Sequence, residues 1–403
     1  MWAPTTSLSI PLLISGPFLP DLIVSLSSLV FLIYVLRHKL FFYFTKQPVI
    51  IFFIFCAYCF LVSFFLAIDI MLSFESSLFY FRIGVFSCLI WYLLEQDKKI
   101  LNYFYYALVI SFLALIVDGY IQFFTGTNIL KFPATGDRIS SFFGNELIMG
   151  SYLSRLFPLL FALFILKKKN KLELYFMILF FLLLSGLILI SGERAAFFLY
   201  VLSFIFIIIF MKDYTKLRIV LSVLSLIVMT IIILSFDKVK NRMLSNPMDT
   251  ITKSIFTPGH DDLIRSAYSM FLDKPIFGHG PKMFRVLCKN EKYATNKLDC
   301  TTHPHNFYVQ LLAETGIIGF SFLFSAFAYV IYCAYRQLKS IILGQKRYLT
   351  DYQVCLLAGI LITVWPLTTN GNFFHNWLMI VYSLPVGFYL HSIYGKNKEN
   401  ISF

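Results

Sequence analysis

Charged side chains are scarce in this chain. Asp, Glu, Lys and Arg make up 14% of its 403 residues, whereas hydrophobic residues make up 59%. A typical soluble domain has roughly 25% charged residues, so this composition excludes an ordinary soluble protein. What the chain has instead is a series of apolar stretches, many of them long enough to cross a membrane as helices.

Signatures for nucleotide and metal binding are also missing. The sequence has no Walker A loop, no nucleotide-binding fingerprint and no Asp-x-Asp pair. His260-Asp261-Asp262 is the one metal-like cluster, but consecutive helical residues point in different directions, so we expect no metal there. We therefore expect no metal, no cofactor and no nucleic-acid partner, and the energy for a transfer reaction would come from an activated substrate.

The apolar stretches predict an all-α polytopic membrane protein with about twelve transmembrane helices. The predicted spans are 7–19, 21–36, 48–68, 76–95, 100–124, 146–166, 172–190, 194–211, 218–235, 306–335, 352–370 and 375–394. The first span is short and resembles a signal peptide, but it lacks a basic n-region and an Ala-x-Ala site. The chain thus divides into nine spans over 1–235, a loop over 236–305, and three spans with a tail over 306–403.

Lys and Arg concentrate in alternate connections between the spans, as short cytoplasmic loops require. These residues are Arg37, Lys39, Lys46, Lys98, Lys99, Lys167, Lys168, Lys169, Lys171, Lys212, Lys216, Arg218, Arg336, Lys339, Lys346, Arg347, Lys396 and Lys398. The pattern predicts that both termini are cytoplasmic and that the 236–305 loop is periplasmic.

The 236–305 loop is itself basic, which fits either a solvated surface or the attraction of an anionic substrate. Its basic residues are Lys238, Lys240, Arg242, Lys253, Arg265, Lys274, Lys282, Arg285, Lys289, Lys292 and Lys297. A helix is predicted over 261–272, ending before Pro275, with a shorter helix reaching Cys288. The longer helix would lie on the membrane with Arg265 toward the active cavity, or pack on the bundle. The sequence leaves open whether Cys288 and Cys300 form a disulfide.

The strongest catalytic candidate lies where this loop meets the next span. His305 has the intrinsic pKa of a group that takes a proton from a hydroxyl near neutral pH. His303 would orient it or cap the helix, and Asn306 is a candidate substrate contact. Gly316 and Gly319, about three and four helical turns later, permit close helix contact.

Four arginines are candidate anion-binding residues. Arg82 and Arg155 fall inside spans, where a cation is costly and either binds an anion, pairs with Glu314 or a carbonyl, or snorkels. Arg194 follows Gly192 at a helix start that favours a phosphate, although it could instead pair with Glu193 as an anchor. Arg265 completes the set.

Further polar residues are predicted at the same membrane depth, where they suit a sugar-binding mouth or ordinary interfacial turns. They are Asp118, Tyr120, Gln122, Arg138, Asn145, Glu146, Asn370, Asn372, His375 and Asn376.

Three motifs resemble those of one family. His305-Asn306, followed after nine residues by Gly-Ile-Ile-Gly at 316–319, resembles the motif of O-antigen ligases and O-antigen polymerases. Gly-Glu-Arg-Ala at 192–195 agrees with it, and so does Asp-Leu-Ile-Arg-Ser-Ala-Tyr at 262–268 before Lys-Pro-Ile-Phe-Gly-His-Gly at 274–280.

This resemblance implies a bacterial inner-membrane glycosyltransferase of the membrane-embedded GT-C type. An O-antigen ligase passes glycan from undecaprenyl pyrophosphate to a sugar of lipid A-core at the periplasmic face. His305 would be the general base, while Arg194 and Arg265 would stabilise the departing pyrophosphate, with inversion and without metal or ATP. Arg82, Arg155, His303 and Asn306 would be secondary substrate contacts.

Two alternatives remain at this stage. An O-antigen polymerase would share these parts and differ in its acceptor. A glycan-lipid flippase or other transporter would also be polytopic, but such proteins show repeats or matching broken helices, which this sequence lacks. Neither the charge pattern nor the motif spacing indicates the glycan repeat or the number of subunits.

Overall fold

A computed structural model describes residues 2–167, 170–245, 258–295 and 300–396. Within these ranges the protein is helical and has no strand beyond two isolated bridges, Thr127 with Pro133 and Thr135 with Arg138. Of the basic residues considered above, five lie outside the described residues: Lys168, Lys169, Lys253, Lys297 and Lys398.

Seventeen α-helices follow one another along the described chain. They are α1 Trp2–Ser7, α2 Ser9–Leu12, α3 Phe18–His38, α4 Gln47–Leu66, α5 Ile70–Ser77, α6 Phe81–Gln96, α7 Lys99–Thr125, α8 Met149–Leu166, α9 Lys171–Ile190, α10 Arg194–Phe210, α11 Thr215–Ser235, α12 Asp237–Lys240, α13 Pro258–Asp273, α14 Phe284–Leu287, α15 Phe307–Ile342, α16 Asp351–Thr363 and α17 Asn376–Tyr394. Short 3₁₀ turns at Phe41–Phe44 and Ser141–Phe143 and a π turn at Asn241–Ser245 complete the set.

The all-α polytopic fold is confirmed. Nine helical stretches in the described part of the chain are long and apolar enough to cross a membrane, with Ile70–Gln96 counted as one, and α10 and α16 are shorter apolar helices. Helices satisfy every internal backbone polar group without water, which is why such sequences cross lipid in this form. α8 is central, packing against α10 and α16, and α6 packs against α17.

The first predicted span, 7–19, is wrong. This region forms the two short helices α1 and α2, and Pro17 immediately precedes α3. Tyr152 donates a hydrogen bond to the Ile10 carbonyl and the Trp377 indole donates to the Leu13 carbonyl. Because both donors lie in the first turn of their helices at the loop end of the bundle, residues 4–13 pack at that same end. One of the twelve predicted spans is therefore not formed, and the side of the membrane on which each terminus lies stays a prediction.

The eleventh predicted span, 352–370, is also too long. Helix α16 ends at Thr363, and residues 364–375 form an irregular segment between α16 and α17. Pro366 explains this end, because the residue before a proline avoids the helical region. This irregular 364–375 segment forms hydrogen bonds with His305 and Asn306.

The loop is fixed to the membrane helix α15 at a break in that helix. Gly316 has φ 62° and ψ −168°, which ends regular α-helical hydrogen bonding there. The freed groups bond the 275–280 segment: Gly280 N–H donates to the Glu314 carbonyl at 2.7 Å, and Ile317 N–H donates to the Pro275 carbonyl at 2.8 Å. The two glycine-containing motifs of the sequence thus meet each other.

A second hydrophobic core holds the loop helices together. Leu263, Ala267 and Met270 of α13 are buried with Phe284 of α14 and Ala313 of α15. The predicted loop helices are confirmed, and α13 packs on the bundle through its apolar side. Cys288 and Cys300 are joined by a disulfide with their Cα atoms 5.5 Å apart, which ties the end of α14 to the segment before His303.

Candidate active site

His305 occupies an unusual backbone position. Its φ is 56°, in the left-handed region that His tolerates better than most residues but still at a cost. Its carbonyl accepts a hydrogen bond from Asn370 N–H at 2.8 Å. The following residue, Asn306, caps α15 by accepting from Tyr308 N–H and Val309 N–H. Strain of this kind is found where the surrounding structure fixes a functional side chain.

Asn306 is occupied by these structural contacts. Its amide nitrogen donates to the carbonyls of Pro366 and Thr368, and the side chain is buried. The predicted substrate contact at Asn306 is therefore replaced by a positioning role, which fixes the start of α15 against the 364–375 segment.

Three imidazoles lie side by side, and we call His303, His305 and His260 the histidine row. The ring centroids of His303 and His305 are 4.2 Å apart, and those of His260 and His305 are 4.9 Å apart. Burial and the neighbouring His260 lower the pKa of His305, so this ring is neutral and able to accept a proton at neutral pH. Burial, His305 and Arg285 lower the pKa of His303 to about 3. The Nδ1 of His303 also shares a hydrogen bond with the Thr302 hydroxyl.

An arginine cluster adjoins the histidine row, and we define it as Arg138, Arg194 and Arg242. Arg138 and Arg242 both act electrostatically on Arg194, and Arg194 in turn lowers the pKa of His260, whose burial is the larger cause. Burial lowers the pKa of the Arg138 guanidinium, with Arg242 adding to the effect and Glu193 opposing it. Three neighbouring guanidinium groups make a site that favours an anion carrying several charges.

The Gly-Glu-Arg motif at 192–194 positions the side chains of this cluster. Gly192 has φ 71°, and a Cβ there would lie 2.7 Å from the Asp137 carbonyl oxygen, so only glycine fits. Its own carbonyl accepts from Arg242 Nε at 3.1 Å. Glu193 does not pair with Arg194 in the way an interfacial anchor would, because its carboxylate accepts from Gly150 N–H at 2.6 Å and from Ser151.

The loop that carries Arg138 is organised by two buried side chains of α7. Asp118 accepts from Ile129 N–H and Ser141 Oγ, and Gln122 accepts from the Ser141 N–H at 2.7 Å. These two residues, predicted as part of a sugar-binding mouth, therefore hold the 126–148 connection in place. Arg138 itself donates to the Leu147 carbonyl.

Arg285 approaches the histidine row from the other side. It acts electrostatically on His303, and its Nε is buried without a hydrogen-bond partner among the described residues. Glu314, which is fully buried, accepts from the Phe284 N–H at 3.1 Å and from Gln310 Nε2 at 3.0 Å. Glu314 thereby fixes the short helix that presents Arg285.

Two predicted arginines have structural partners instead. Arg82 forms an ion pair with Asp21, with Nη2 to Oδ1 at 2.6 Å. Arg155 is buried, donates to Asn370 Oδ1 at 2.8 Å and stacks on Tyr382. Because Asn370 N–H donates to the His305 carbonyl, Arg155 supports the position of His305 through Asn370. Arg82 has no described contact with the site.

Arg265 is not brought to the histidine row by any described contact. Its side chain is 66% exposed, and its Nε donates to Asp261 Oδ2 at 2.8 Å one turn earlier in α13. The apolar side of α13 faces the bundle, which turns Arg265 toward solvent. Of the two predicted arrangements, packing of α13 on the bundle is the one observed, and the role of Arg265 in holding a pyrophosphate stays a prediction.

No group of side chains within the described ranges has the geometry to hold a metal ion. A cavity of about 460 Å³ lies at the opposite end of the bundle, lined by Tyr34, His38, Leu40, Tyr43, Tyr92, Glu95, Gln96 and Lys396. None of the residues of the histidine row or the arginine cluster lines this cavity.

Comparison with known proteins bears on the motifs now placed in the structure. Residues 179–324 match the family model for O-antigen ligase. The matched region contains Arg194, Arg265, His305 and Gly316, so the resemblance of the motifs to that family is confirmed there. It also contains His260, Arg242 and Arg285.

The chain is also similar to the teichuronic acid biosynthesis protein TuaE of Bacillus subtilis (strain 168). The identity is 24% over 119 residues, which is 30% of this chain and 24% of that protein. The aligned part spans about a quarter of the length of this relative. Together the two matches support a ligase- or polymerase-type enzyme of polysaccharide biosynthesis with a multi-pass membrane fold.

Four site residues were not identified as such from the sequence. His260 was set aside as a false metal cluster, Arg138 was one of many interfacial polar residues, and Arg242 and Arg285 were among the basic residues of the loop. Arg138, Arg242 and Arg285 carried a weak signal, because each is a charged residue in a connection between two predicted spans, whereas His260 carried none.

Proposed function

We propose that this protein is an O-antigen ligase that transfers O-antigen glycan from undecaprenyl pyrophosphate to a sugar of lipid A-core. The observation that carries the proposal is the position of His260 between His305 and Arg194, because it unites the histidine row and the arginine cluster. A neutral base and a polyvalent anion site on one face are what a glycosyl transfer from a pyrophosphate needs.

In this reaction His305 takes the proton of the acceptor hydroxyl while the oxygen attacks the anomeric carbon. The bond from that carbon to the pyrophosphate oxygen breaks, and negative charge develops on the leaving group. Arg194, Arg138 and Arg242 stabilise this charge, and fixed cations in a partly dry cleft act most strongly where charge develops. Direct attack opposite the leaving group inverts the anomeric centre.

Arg285 acts electrostatically on His303, whereas Arg194 of the arginine cluster acts on His260. The place of Arg285 beside His303 suits a contact to the acceptor. This separates a donor side, marked by the arginine cluster, from an acceptor side, marked by Arg285 and His303.

The site is proposed to face the periplasm of the inner membrane. Support comes from the basic residues at the opposite end of the bundle, including Lys39, Lys98, Lys212 and Arg347, because such residues remain cytoplasmic. The disulfide in the loop fits an oxidising compartment. The chain after α17 would be cytoplasmic, and residues 4–13 would lie at the periplasmic side with the loop.

An O-antigen polymerase is the second candidate. The observation that favours it is the similarity to TuaE, whose name refers to the synthesis of a polysaccharide. The acceptor would then be the sugar end of another lipid-linked glycan, and the residues would keep the same chemical roles.

The test uses the purified full-length protein with undecaprenyl-pyrophosphate glycan, offered with and without lipid A-core. Glycan-capped lipid A-core, absent when lipid A-core is left out, would support the ligase. Longer lipid-linked glycan in both mixtures would instead support the polymerase. No transfer in either mixture, from protein that remains folded, would contradict the proposed function.

A further inference from the structure

We propose that Gln310 is a positioning residue of the candidate site, joining the loop to the backbone segment that holds His305. This inference rests on the proposed function and adds to it a residue that acts through other residues rather than on the substrate. Gln310 lies in the first turn of α15 and is fully buried. Its side-chain amide makes three hydrogen bonds, two to the 364–375 segment and one to Glu314.

The bonds to the 364–375 segment bear on the position of His305. Asn370 N–H donates to the His305 carbonyl at 2.8 Å. Close by on the same segment, Phe373 N–H donates to Gln310 Oε1 at 2.9 Å, and Gln310 Nε2 donates to Asn372 Oδ1 at 3.0 Å. A short segment bonded at neighbouring points to one helix cannot shift without breaking a bond. Gln310 therefore helps to keep the Asn370 contact that holds His305 at its positive φ.

The bond to Glu314 continues this connection into the loop. Gln310 and Glu314 are four residues apart, so they lie on the same face of α15. Gln310 Nε2 donates to Glu314 Oε2 at 3.0 Å, and Glu314 Oε1 accepts from the Phe284 N–H at 3.1 Å. Two buried side chains thus link the start of α14, which carries Arg285, to the segment that holds the base.

A glutamine suits this junction because its amide has two N–H donors and one carbonyl acceptor. All three functions are used at position 310, and both Gln310 and Glu314 are inaccessible to solvent. A leucine would remove every one of these bonds. A glutamate would supply no donor and would place a second carboxylate beside Glu314, where two like charges repel each other.

The donor side of the site depends on other contacts. Arg138 donates to the Leu147 carbonyl, and Arg242 donates to the Gly192 carbonyl. Loss of Gln310 should therefore displace the base and leave the arginine cluster in place. A displacement of about 1 Å at a reacting group can cost on the order of 10²-fold in rate. The expected signature is a fall in kcat with little change in the KM for the donor.

The test compares Gln310→Leu with Gln337→Leu, a matched control on the same helix. Gln337 is also buried and also bridges elements, because its Nε2 donates to the Phe210 carbonyl at 2.9 Å and its Oε1 accepts from the Leu349 N–H at 2.8 Å. Both variants should have a lower Tm. Per folded protein, we expect only Gln310→Leu to lose kcat, on the order of 10- to 10²-fold, with the donor KM changed less than about twofold.

A second comparison exchanges the two side chains. Gln310→Glu alone should lose kcat as Gln310→Leu does, because two carboxylates then adjoin each other. Adding Glu314→Gln gives the pair one amide and one carboxylate again, which can form the same hydrogen bond in the opposite direction. We expect this double variant to recover most of the kcat that Gln310→Glu loses.

Several results would overturn the positioning role. Equal changes in kcat for Gln310→Leu and Gln337→Leu would do so, as would a double variant no faster than Gln310→Glu. Should Gln310→Leu not fold, Gln310→Asn takes its place, since it keeps the amide but is one methylene too short, and the same fall in kcat is expected. If the wild type transfers glycan and these variants match it, only the role of Gln310 fails. If the wild type transfers nothing, the proposed function itself fails.

Discussion

Individual polar residues in this protein divide into those that face the cleft and those that hold them. A chain of hydrogen bonds behind His305 is formed by Asn306, Asn370 and Arg155. The polar groups of these residues are used in this chain, except for the Nε of Arg155, which has no hydrogen-bond partner among the described residues. Fixing a side chain in a strained backbone costs on the order of 1–3 kcal/mol, which these contacts offset. The sequence indicated that these residues are polar and costly in a membrane, but not which of the two tasks each performs.

Arg194 and Arg265 offer a matched pair of substitutions. We expect Arg194→Lys to lower kcat/KM on the order of 10²-fold, because a point charge does not reproduce a planar fork on phosphate oxygens. Arg265→Lys should change kcat/KM less than about twofold, since its partner is Asp261 and an exposed pair of this kind contributes little. Steady-state transfer rates at several donor concentrations measure both. Equal losses in the two variants would show that Arg265 reaches the substrate after all.

Among the larger elements, the break in α15 is the feature that joins loop and membrane helix. The sequence predicted α13 and α14 from local periodicity and predicted close helix contact at Gly316, but it did not identify the partner of that glycine. The contact is with Ile276 and the neighbouring loop backbone, far away along the chain, and local periodicity carries no information about such pairs. Pairing of His260 with His305 was missed for the same reason.

Gly316→Ala and Gly344→Ala test this docking. Both glycines have φ 62°. The ψ of −168° at Gly316 belongs to a region that is essentially restricted to glycine, so backbone strain opposes an alanine there in addition to its contacts. A Cβ at Gly316 would lie 2.2 Å from the Ile276 carbonyl oxygen, whereas no atom lies within 4 Å of one at Gly344. We expect a clearly larger fall in Tm for Gly316→Ala in detergent, together with loss of transfer. Equal Tm values for the two variants would contradict the docking.

For the molecule as a whole, hydrophobicity predicted the class of fold and most span boundaries, but not the number of crossings. Length and apolar character alone cannot distinguish a span from two short helices such as those in residues 2–12. One miscounted crossing reverses the predicted membrane side of every segment that precedes it. The contacts of Ile10 with Tyr152 and of Leu13 with Trp377 favour two short helices that pack at the loop end of the bundle.

Cysteine labelling of intact cells tests the topology. The five free cysteines are buried and the other two form the disulfide, so the background should be low. We expect Ser15→Cys to react with a membrane-impermeant maleimide from the periplasm, because Ser15 is exposed at the loop end. Lys39→Cys, at the far end of α3, should react only after the inner membrane is permeabilised. If both positions react only after permeabilisation, the N-terminal region is cytoplasmic, as the sequence predicted.

The most direct test of the whole account is single-turnover transfer by His305→Ala beside His38→Ala, with saturating donor and acceptor. If His305 is the base in the cleft formed by the histidine row and the arginine cluster, the first variant should lose on the order of 10²–10⁴-fold in rate. It should still bind the donor, since the arginine cluster remains, and His38→Ala should match the wild type. A folded His305→Ala protein that transfers glycan at the wild-type rate would contradict the account.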